Sequence, residues 1–265
     1  MLQKLKNIYY YFLDLATFKK GINVSINDFE LRLPARYYKY FPSVYEPQNF
    51  SFFRKMCRPG MSSIDVGAHI GLYSVLMQRL SGGMVYSFEP APSAIPVLKK
   101  TIALNKAENK IEIITAAVSN KTGKAYLRLD DNPASVSNSL VTYERTAQLP
   151  NCEVDVVSID DFVTGKQLSV GFIKIDAEGA ELPVLKGAKK TLEHQRPAMV
   201  LALHPAAIAA REETNEMIWD FLETLNYSIR FDGTAVSKKD FIQKKEMFDV
   251  HLVPAEKEND NTLNA

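Results

Sequence analysis

Residues 62–74 read SSIDVGAHIGLYS, and this stretch indicates the fold class. A short apolar run ends at Asp65, and Gly67 and Gly71 follow before a helical pattern begins. A glycine-rich turn between a strand and a helix is the usual place for a nucleotide, because backbone N–H groups and the helix N-terminus face the ligand there. The stretch therefore predicts a strand, a ligand-binding turn and a helix.

Short apolar runs separated by helical patterns continue after this turn, which is typical of an α/β fold with a mostly parallel sheet. The runs show little alternation, as expected for strands that are covered on both faces. We predict strands over residues 61–66, 84–88, 111–115, 170–175 and 198–203, helices over about 71–80, 93–105 and 179–193, an inserted hairpin with strands at 124–129 and 152–159, and closing strands at 227–232 and 247–254.

The first 58 residues form an extension ahead of this pattern. Residues 1–20 fit an amphipathic helix, a hairpin follows with its turn at Asn27 and Asp28, and a helix ends at Pro59. We expect the extension to pack on the core domain, residues 59–254, and the first helix to pack on that core rather than on a membrane surface. Residues 255–265 form a polar tail.

Composition excludes several classes of protein. With 46% hydrophobic residues, 24% charged residues and a formal net charge of +1, the chain resembles an ordinary globular protein, and it has no basic stripe for nucleic acid. Two cysteines without a CxxC pair argue against a disulfide framework and favour a cytoplasmic protein. Residues 1–20 are too short and too polar to span a bilayer. The oligomeric state stays open.

The charge of the turn indicates the kind of ligand. A dinucleotide fingerprint reads G-x-G-x-x-G, whereas this turn reads D-x-G-x-H-x-G and contains no lysine or arginine. Asp65 at the end of the strand would repel a pyrophosphate and attract a cation. S-adenosylmethionine fits, because it carries an ammonium group and a sulfonium but no phosphate. Gly67 would let the backbone approach the ligand, and Gly71 would let the helix pack closely.

Glu89 closes the second predicted strand, about 20 residues beyond the glycine turn. In nucleotide-binding α/β folds a carboxylate at this place accepts hydrogen bonds from ribose hydroxyls. Asp65 or Glu89 alone is most simply a capping or surface acid. Together, at the ends of adjacent strands, they favour an adenosine cofactor.

Five segments together resemble one family, the FkbM-type methyltransferases of the class I S-adenosylmethionine-dependent group. They read IDVGAHIGLYS, VYSFEPAPSAIPVLKKTIALN, AAVSNKTGKAYL, VDVVSIDDF and FIKIDAEGAELPVLKGA. The resemblance, over about residues 45–205, implies a Rossmann-like, doubly wound sheet of seven strands with the last strand reversed. It also implies methyl transfer to a hydroxyl oxygen of a sugar, polyketide or other small metabolite. By the same resemblance, the cofactor contacts are Asp65, Gly67, His69, Gly71, Glu89 and Ala117.

The chain departs from the family pattern at one informative position. Many relatives carry a glutamate two residues before His204, where this chain has Ala202. Any role of that acid must therefore be filled by another residue. His69 occupies the place of a middle glycine, so its side chain either touches the ligand or points away.

The candidates for catalysis follow the fourth and fifth strands. Asp176, Glu178 and His204 should converge, because ligands bind beyond the carboxyl ends of parallel strands. An alcohol acceptor must lose a proton, and we expect His204 to take it because an imidazole titrates near neutrality. Asp176 or Glu178 could instead be the base, orient His204 or hold the cofactor's ammonium, whereas Glu181 would cap a helix.

Alternatives remain at this point. The same acids could hold a divalent metal, although no spacing requires one. Lys174, inside an apolar strand, should pair with one of them. An NAD-type oxidoreductase and a non-catalytic interaction module are the competing functions. Acceptor specificity is expected in the loop at residues 130–150 and in the segment after His204.

Overall fold

The computed structural model describes residues 9–10, 12–13, 16–17, 19–128, 139–141 and 151–257. The strands of this part are β1 (Ile22–Ile26), β2 (Phe29–Leu33), β3 (Ser62–Val66), β4 (Val85–Phe88), β5 (Ile111–Ile114), β6 (Ala116–Val118), β7 (Gly123–Arg128), β8 (Ser139–Val141), β9 (Asn151–Val157), β10 (Val170–Ile175), β11 (Ala198–Leu203), β12 (Tyr227–Phe231), β13 (Thr234–Ala235) and β14 (Phe248–Pro254). The helices are α1 (Pro47–Met56), α2 (Leu72–Ser81), α3 (Ile95–Leu104), α4 (Ile159–Lys166), α5 (Glu181–Gly187), α6 (Lys189–His194), α7 (Pro205–Ala209), α8 (Asn215–Thr224) and α9 (Lys238–Gln243).

The central sheet has the order β13-β12-β14-β11-β10-β3-β4-β5. Strands β3, β4, β5, β10 and β11 pair in parallel, and β14 runs antiparallel to both β11 and β12. The predicted α/β class, the mostly parallel sheet and the reversed last strand are confirmed. The two-residue strand β13 extends the sheet beyond the predicted seven strands, because the turn after β12 folds back on it.

Apolar side chains cover both faces of this sheet, which explains the unbroken apolar runs in the sequence. One layer packs residues of α4, α5, α6 and α8 against the sheet. The other layer packs α1, α2 and α3 against the opposite face. On β3 the two faces alternate, so that Ile64 and Val66 join the first layer while Asp65 faces α2.

The inserted segment forms a second sheet, with the order β6-β9-β7-β8. Its β7 and β9 pair antiparallel from Gly123↔Val156 to Arg128↔Asn151, which is the predicted hairpin. Strand β6 lies beside β4, and its Ala117 pairs with Val156 of β9. Most of the predicted loop at residues 130–150 lies outside the described residues.

The prediction of a single helix over residues 179–193 is wrong. The chain breaks at Ala188 between α5 and α6. A side chain at Gly187 would overlap the carbonyl oxygen of Ser119, so the helix passes close to the neighbouring backbone there. Asp160 then accepts hydrogen bonds from the backbone N–H groups of Lys190 and Thr191, which supplies a new helix start.

The predicted hairpin near the N-terminus is present, with Asn27 and Asp28 at positive φ angles of 47° and 62°. Helix α1 buries Phe50 and Phe53 against the core domain. Most of residues 1–20 lies outside the described part, in which Tyr9 and Phe12 are 51% and 62% exposed. Among the described helices, none has the length and apolar character needed to cross a membrane.

Candidate active site

A cavity of about 240 Å³ lies beyond the carboxyl ends of β3, β4, β10 and β11. This is the edge at which open α/β sheets bind ligands. Two of the predicted site residues, Asp65 and Gly71, are not part of the cavity wall. The predicted residues that line it are Gly67, His69, Glu89, Ala117, Asp176, Glu178 and His204.

The glycine turn after β3 forms one wall of the cavity and requires both of its glycines. Gly67 has a φ of 75°, and a side chain there would overlap the carbonyl oxygen of Asp176. Gly71 has a φ of 90°, and an added Cβ would lie 2.7 Å from Leu98 Cδ1. Gly67 thus brings the turn against the end of β10, while Gly71 lets the start of α2 approach α3.

Glu89 ties the ends of β3 and β4 together. Its Oε2 accepts a hydrogen bond of 2.8 Å from the backbone N–H of His69, and its Oε1 accepts one of 2.8 Å from Ala91. Burial raises the pKa of the Glu89 carboxyl, whereas these two hydrogen bonds favour its ionised form. Each oxygen keeps a second acceptor position for a hydroxyl in the cavity.

His69 has a φ of 48° and packs its ring against Tyr40, with the ring centroids 5.8 Å apart. Burial, together with the charge of Lys174, lowers the pKa of His69 to about 4, so the imidazole is neutral at physiological pH. The side chain lines the cavity.

Asp65 is fully buried and is not part of the cavity wall, and its contact with the cofactor stays a prediction. The carboxylate accepts a hydrogen bond of 2.5 Å from Ser74 Oγ on α2, and its Oδ1 lies 3.7 Å from Lys174 Nζ. Lys174 Nζ also lies 3.2 Å from Asp176 Oδ2 and donates to the carbonyl of Gly67. The predicted pairing of Lys174 is confirmed, and it links Asp65 to Asp176.

His204 stands at the end of β11 among three carboxylates. Its Nδ1 lies 2.8 Å from Glu181 Oε1, and its Nε2 lies 3.6 Å from Asp176 Oδ1 and 3.7 Å from Glu178 Oε2. The predicted convergence of Asp176, Glu178 and His204 is therefore present. Glu181, which we expected to cap a helix, is the carboxylate bonded to the imidazole.

The surroundings shift the pKa values of two of these groups. Burial lowers the pKa of His204, but the hydrogen bond to Glu181 and the charges of Asp176 and Glu178 outweigh it and raise the pKa to about 9. Burial raises the pKa of Glu178 to about 7, although the charge of His204 opposes this shift. A pKa of about 9 favours the imidazolium form of His204 at neutral pH, whereas the residue type suggests a group that titrates near neutrality.

The same group has the spacing of a metal site. Side-chain ligand atoms of Asp176, Glu178 and His204 all lie within 4.8 Å of one another. Oxygen and imidazole ligands suit a divalent cation. Asp176 also carries the ion pair with Lys174, which already supplies positive charge on one side of the group.

Comparison with known proteins identifies the domain that carries this cavity. A family model described as the methyltransferase FkbM domain matches residues 65–229, more than half of the chain. The chain belongs to the FkbM methyltransferase family. The matched region contains every residue predicted for the site, from Asp65 to His204.

Individual proteins that resemble this FkbM chain share less than 30% of their aligned residues with it. Methyltransferase sdnD of Sordaria araneosa is 28% identical over an alignment 181 residues long, and the match covers 57% of this chain and 69% of that protein. The crystal structure of methyltransferase FkbM from Methylobacillus flagellatus KT aligns with a TM-score of 0.47 and 16% identity over 78% of this chain, which spans only 51% of that protein. Precorrin-6y C5,15-methyltransferase from Geobacter metallireducens GS-15 gives a TM-score of 0.44 and 13% identity, over 81% of this chain and 89% of that one.

Two segments outside the matched FkbM domain complete the cavity, and sequence reasoning missed both. These segments are residues 40–49 and 247–249, and their side chains that line the cavity are Tyr40, Phe41, Tyr45, Glu46, Asn49, Met247 and Asp249. They are far in sequence from the glycine turn, and no motif marks them. Residues 130–150, where we expected acceptor specificity, lie mostly outside the described residues, so that expectation stays a prediction.

Asn49 organises this second half of the FkbM cavity. Its Nδ2 donates to Glu46 Oε2 at 2.9 Å and to Asp249 Oδ2 at 2.6 Å, while its Oδ1 lies 2.8 Å from Nε2 of the buried His251. Asp249 pairs with Ala202 in the register of β14 and β11. A carboxylate from the neighbouring strand therefore stands beside the alanine at which this chain departs from the family pattern. Burial raises the pKa of Asp249 to about 6.

Proposed function

We propose that this chain transfers the methyl group of S-adenosylmethionine to a hydroxyl oxygen of a small metabolite, such as a sugar or polyketide. The charge of the cavity lining carries the proposal. Its acidic side chains are Glu46, Glu89, Asp176, Glu178 and Asp249. Within the described lining the basic side chains are Lys174, which is ion-paired, His204, which is surrounded by carboxylates, and the neutral His69.

This excess of negative charge suits a cofactor with an ammonium and a sulfonium group, and it disfavours the pyrophosphate of NAD. The residues around the glycine turn fit such a cofactor. Glu89 would accept hydrogen bonds from the ribose, the apolar side chain of Ala117 would lie beside the adenine, and Gly67 would admit the ligand close to the chain. When bound, the cofactor supplies an electrophilic methyl group on a positively charged sulfur.

The chain's own contribution to the reaction is position and proton transfer. Holding the acceptor oxygen in line with the methyl carbon can supply roughly 7 to 11 kcal/mol of the barrier reduction. The cofactor would supply the methyl group to the acceptor oxygen, and Nε2 of His204 would take the proton that this hydroxyl loses. Because its raised pKa favours the imidazolium form, His204 must first release the Nε2 proton to solvent. A cationic ligand nearby lowers the pKa of His204 and so favours that loss.

Calorimetry with S-adenosylhomocysteine tests the cofactor assignment. We expect binding to the wild-type protein and at least about a tenfold loss in Glu89→Gln, since each lost hydrogen bond to an ionised group is worth about 1.5 to 3 kcal/mol. Glu153→Gln is the matched control, because Glu153 pairs with Lys124 on the exposed surface of the second sheet. Absence of binding to the wild type, together with quenching of NADH fluorescence, would support the oxidoreductase alternative.

Turnover tests the reaction itself. Methyl transfer from labelled cofactor to metabolite extracts, read by mass spectrometry, should reveal a methyl ether, and His204→Ala should abolish it while S-adenosylhomocysteine still binds. Binding without any methylated product would favour the non-catalytic module instead. Undiminished turnover in His204→Ala would remove the base role.

A divalent cation is the second candidate for activating the acceptor hydroxyl, because Asp176, Glu178 and His204 are spaced to hold one. Turnover should then fall after dialysis against EDTA and return with added Mg²⁺ or Mn²⁺. Activity that survives EDTA unchanged would leave His204 as the proton acceptor.

A further inference from the structure

Glu181 is a buried carboxylate directly behind the candidate active site, and the cavity lining does not include it. Its side chain is 0% exposed. Oε1 receives two hydrogen bonds, one of 2.9 Å from the backbone N–H of Gly179 and one of 2.8 Å that joins it to Nδ1 of His204. A fully buried carboxylate is costly unless it is hydrogen-bonded, and His204 is the titratable side chain bonded to this one.

The local fold holds Glu181 in this place. Gly179 has a φ of 99°, and a side chain there would come within 2.7 Å of Ala207 Cβ, so the turn before α5 packs directly on α7. Glu181 begins α5, while His204 precedes α7 by one residue. The close contact between Gly179 and Ala207 therefore fixes the backbone that carries Glu181 and His204.

The contact determines which ring nitrogen of His204 faces the cavity. A carboxylate can only accept, so Nδ1 must carry a proton and donate it to Glu181. Nε2 is then the nitrogen near Asp176 and Glu178, at 3.6 Å and 3.7 Å. We propose that Glu181 is a positioning residue, which fixes the ring orientation and the Nδ1–H tautomer of His204 so that Nε2 receives the acceptor proton.

This inference rests on the proposed function for its kinetic part, but not for its structural part. If Glu181 only capped the turn through Gly179, its loss would lower stability and leave the imidazole unaffected. If it positions His204, its loss must change the tautomer of the ring. The two roles can therefore be separated without knowing the acceptor.

Two substitutions of similar size separate the effects. Glu181→Gln keeps a carbonyl oxygen that can accept from Nδ1–H, whereas Glu181→Leu removes every acceptor. Asp160→Asn is the control, because Asp160 is a partly buried acid that caps a helix, through Lys190 and Thr191, and does not contact His204.

Nitrogen-15 spectra of His204, recorded at a pH at which the ring is neutral, should show the Nδ1–H tautomer in the wild type, in Asp160→Asn and in Glu181→Gln. In Glu181→Leu the spectrum should change toward a mixture of tautomers. With the acceptor found in the methyl-transfer screen, kcat should fall about tenfold in Glu181→Gln and about 100-fold in Glu181→Leu, with acceptor KM and S-adenosylhomocysteine affinity within about twofold of wild type.

A Glu181→Leu protein that keeps the Nδ1–H tautomer, or whose kcat falls no more than that of Asp160→Asn, would overturn the positioning role. Should Glu181→Leu not fold, a wild-type kcat in Glu181→Gln would overturn it as well. Failure of the wild type to bind S-adenosylhomocysteine would instead refute the proposed function, and the tautomer measurement would still decide the role of Glu181.

Discussion

Replacing Glu178 by glutamine should lower the pKa of His204 from about 9 by about 1 to 3 units. Glu178 Oε2 lies 3.7 Å from His204 Nε2. Two unit charges at that distance interact by about 1 kcal/mol in water and by about 4 to 5 kcal/mol at an effective dielectric constant of 20. The two side chains are 12% and 23% exposed, so the interaction falls between these limits. One pKa unit corresponds to about 1.4 kcal/mol, which gives the expected range.

Nuclear magnetic resonance titration of the imidazole rings measures this shift directly. The chain has four histidines, and burial lowers the pKa values of His69 and His251 to about 4, so that their titration is well separated from that of His204. The control is Glu153→Gln, which removes the same charge from the exposed Lys124 pair. A His204 pKa that stays within about 0.3 units of the wild-type value in folded Glu178→Gln would refute the electrostatic account.

The same shift should appear in stability. His204 has a folded-state pKa of about 9 against an ordinary value of 6.5, so its contribution is fully present below pH 6.5 and is lost as the pH rises through 9. The raised pKa of Glu178 makes the free energy of unfolding depend on pH between 4.5 and about 7, and it adds no pH dependence above that range. From pH 7 to 9.5 the wild-type free energy of unfolding should therefore fall by about 2.4 kcal/mol. Urea titrations should show a loss smaller by about 1.2 kcal/mol if Glu178→Gln lowers the pKa of His204 by one unit, and almost no loss if it lowers that pKa to about 6.5.

Three further substitutions test other parts of the site by urea unfolding. Gly67→Ala should lower the free energy of unfolding by about 2 to 5 kcal/mol, because the new side chain overlaps Asp176. The control Gly82→Ala, at a φ of 63° with open space around it, should lower it by only about 1 to 2 kcal/mol. Equal losses in the two variants would contradict the steric reasoning. Lys174→Met should cost about 3 to 5 kcal/mol by leaving Asp65 buried without its cation, and adding Asp65→Asn should recover part of that loss. Asp249→Asn should stabilise the protein at pH 8 by up to about 3 kcal/mol and have little effect on stability below pH 4. The reason is that burial raises the pKa of Asp249 from 3.8 to about 6, so its ionisation costs stability. An unchanged free energy of unfolding at pH 8 would contradict this account.

The part of the cavity around the glycine turn could be predicted from the sequence, because local rules place its residues. Gly67, His69 and Gly71 follow a strand in one short stretch, and all three have positive φ angles. Glu89 ends the next strand, and the ends of parallel strands lie at one edge of a sheet. The positions of the strands in the sequence and their adjacency in the sheet were enough to predict that these residues lie close together.

Contacts between distant segments could not be predicted in the same way. The alternation of β3 turns Asp65 toward Ser74 and Lys174, and nothing in the motif shows which face its side chain takes. Asp249 reaches the cavity only because β14 lies beside β11 in the sheet. Glu181 has a weak sequence signal, its position three residues after Glu178, which a capping role explains equally well until the contact with His204 is seen.

The amide of Asn49 limits which side chains this position accepts. Its NH₂ group donates to two carboxylates, and its oxygen accepts from His251. Only one orientation of the amide therefore satisfies all three partners. Aspartate has the same shape but would replace a shared donor by a third negative charge between Glu46 and Asp249. A change of one chemical group, NH₂ to O, would therefore convert a bridge between two acids into a source of repulsion, and it would do so without altering the volume of the buried side chain.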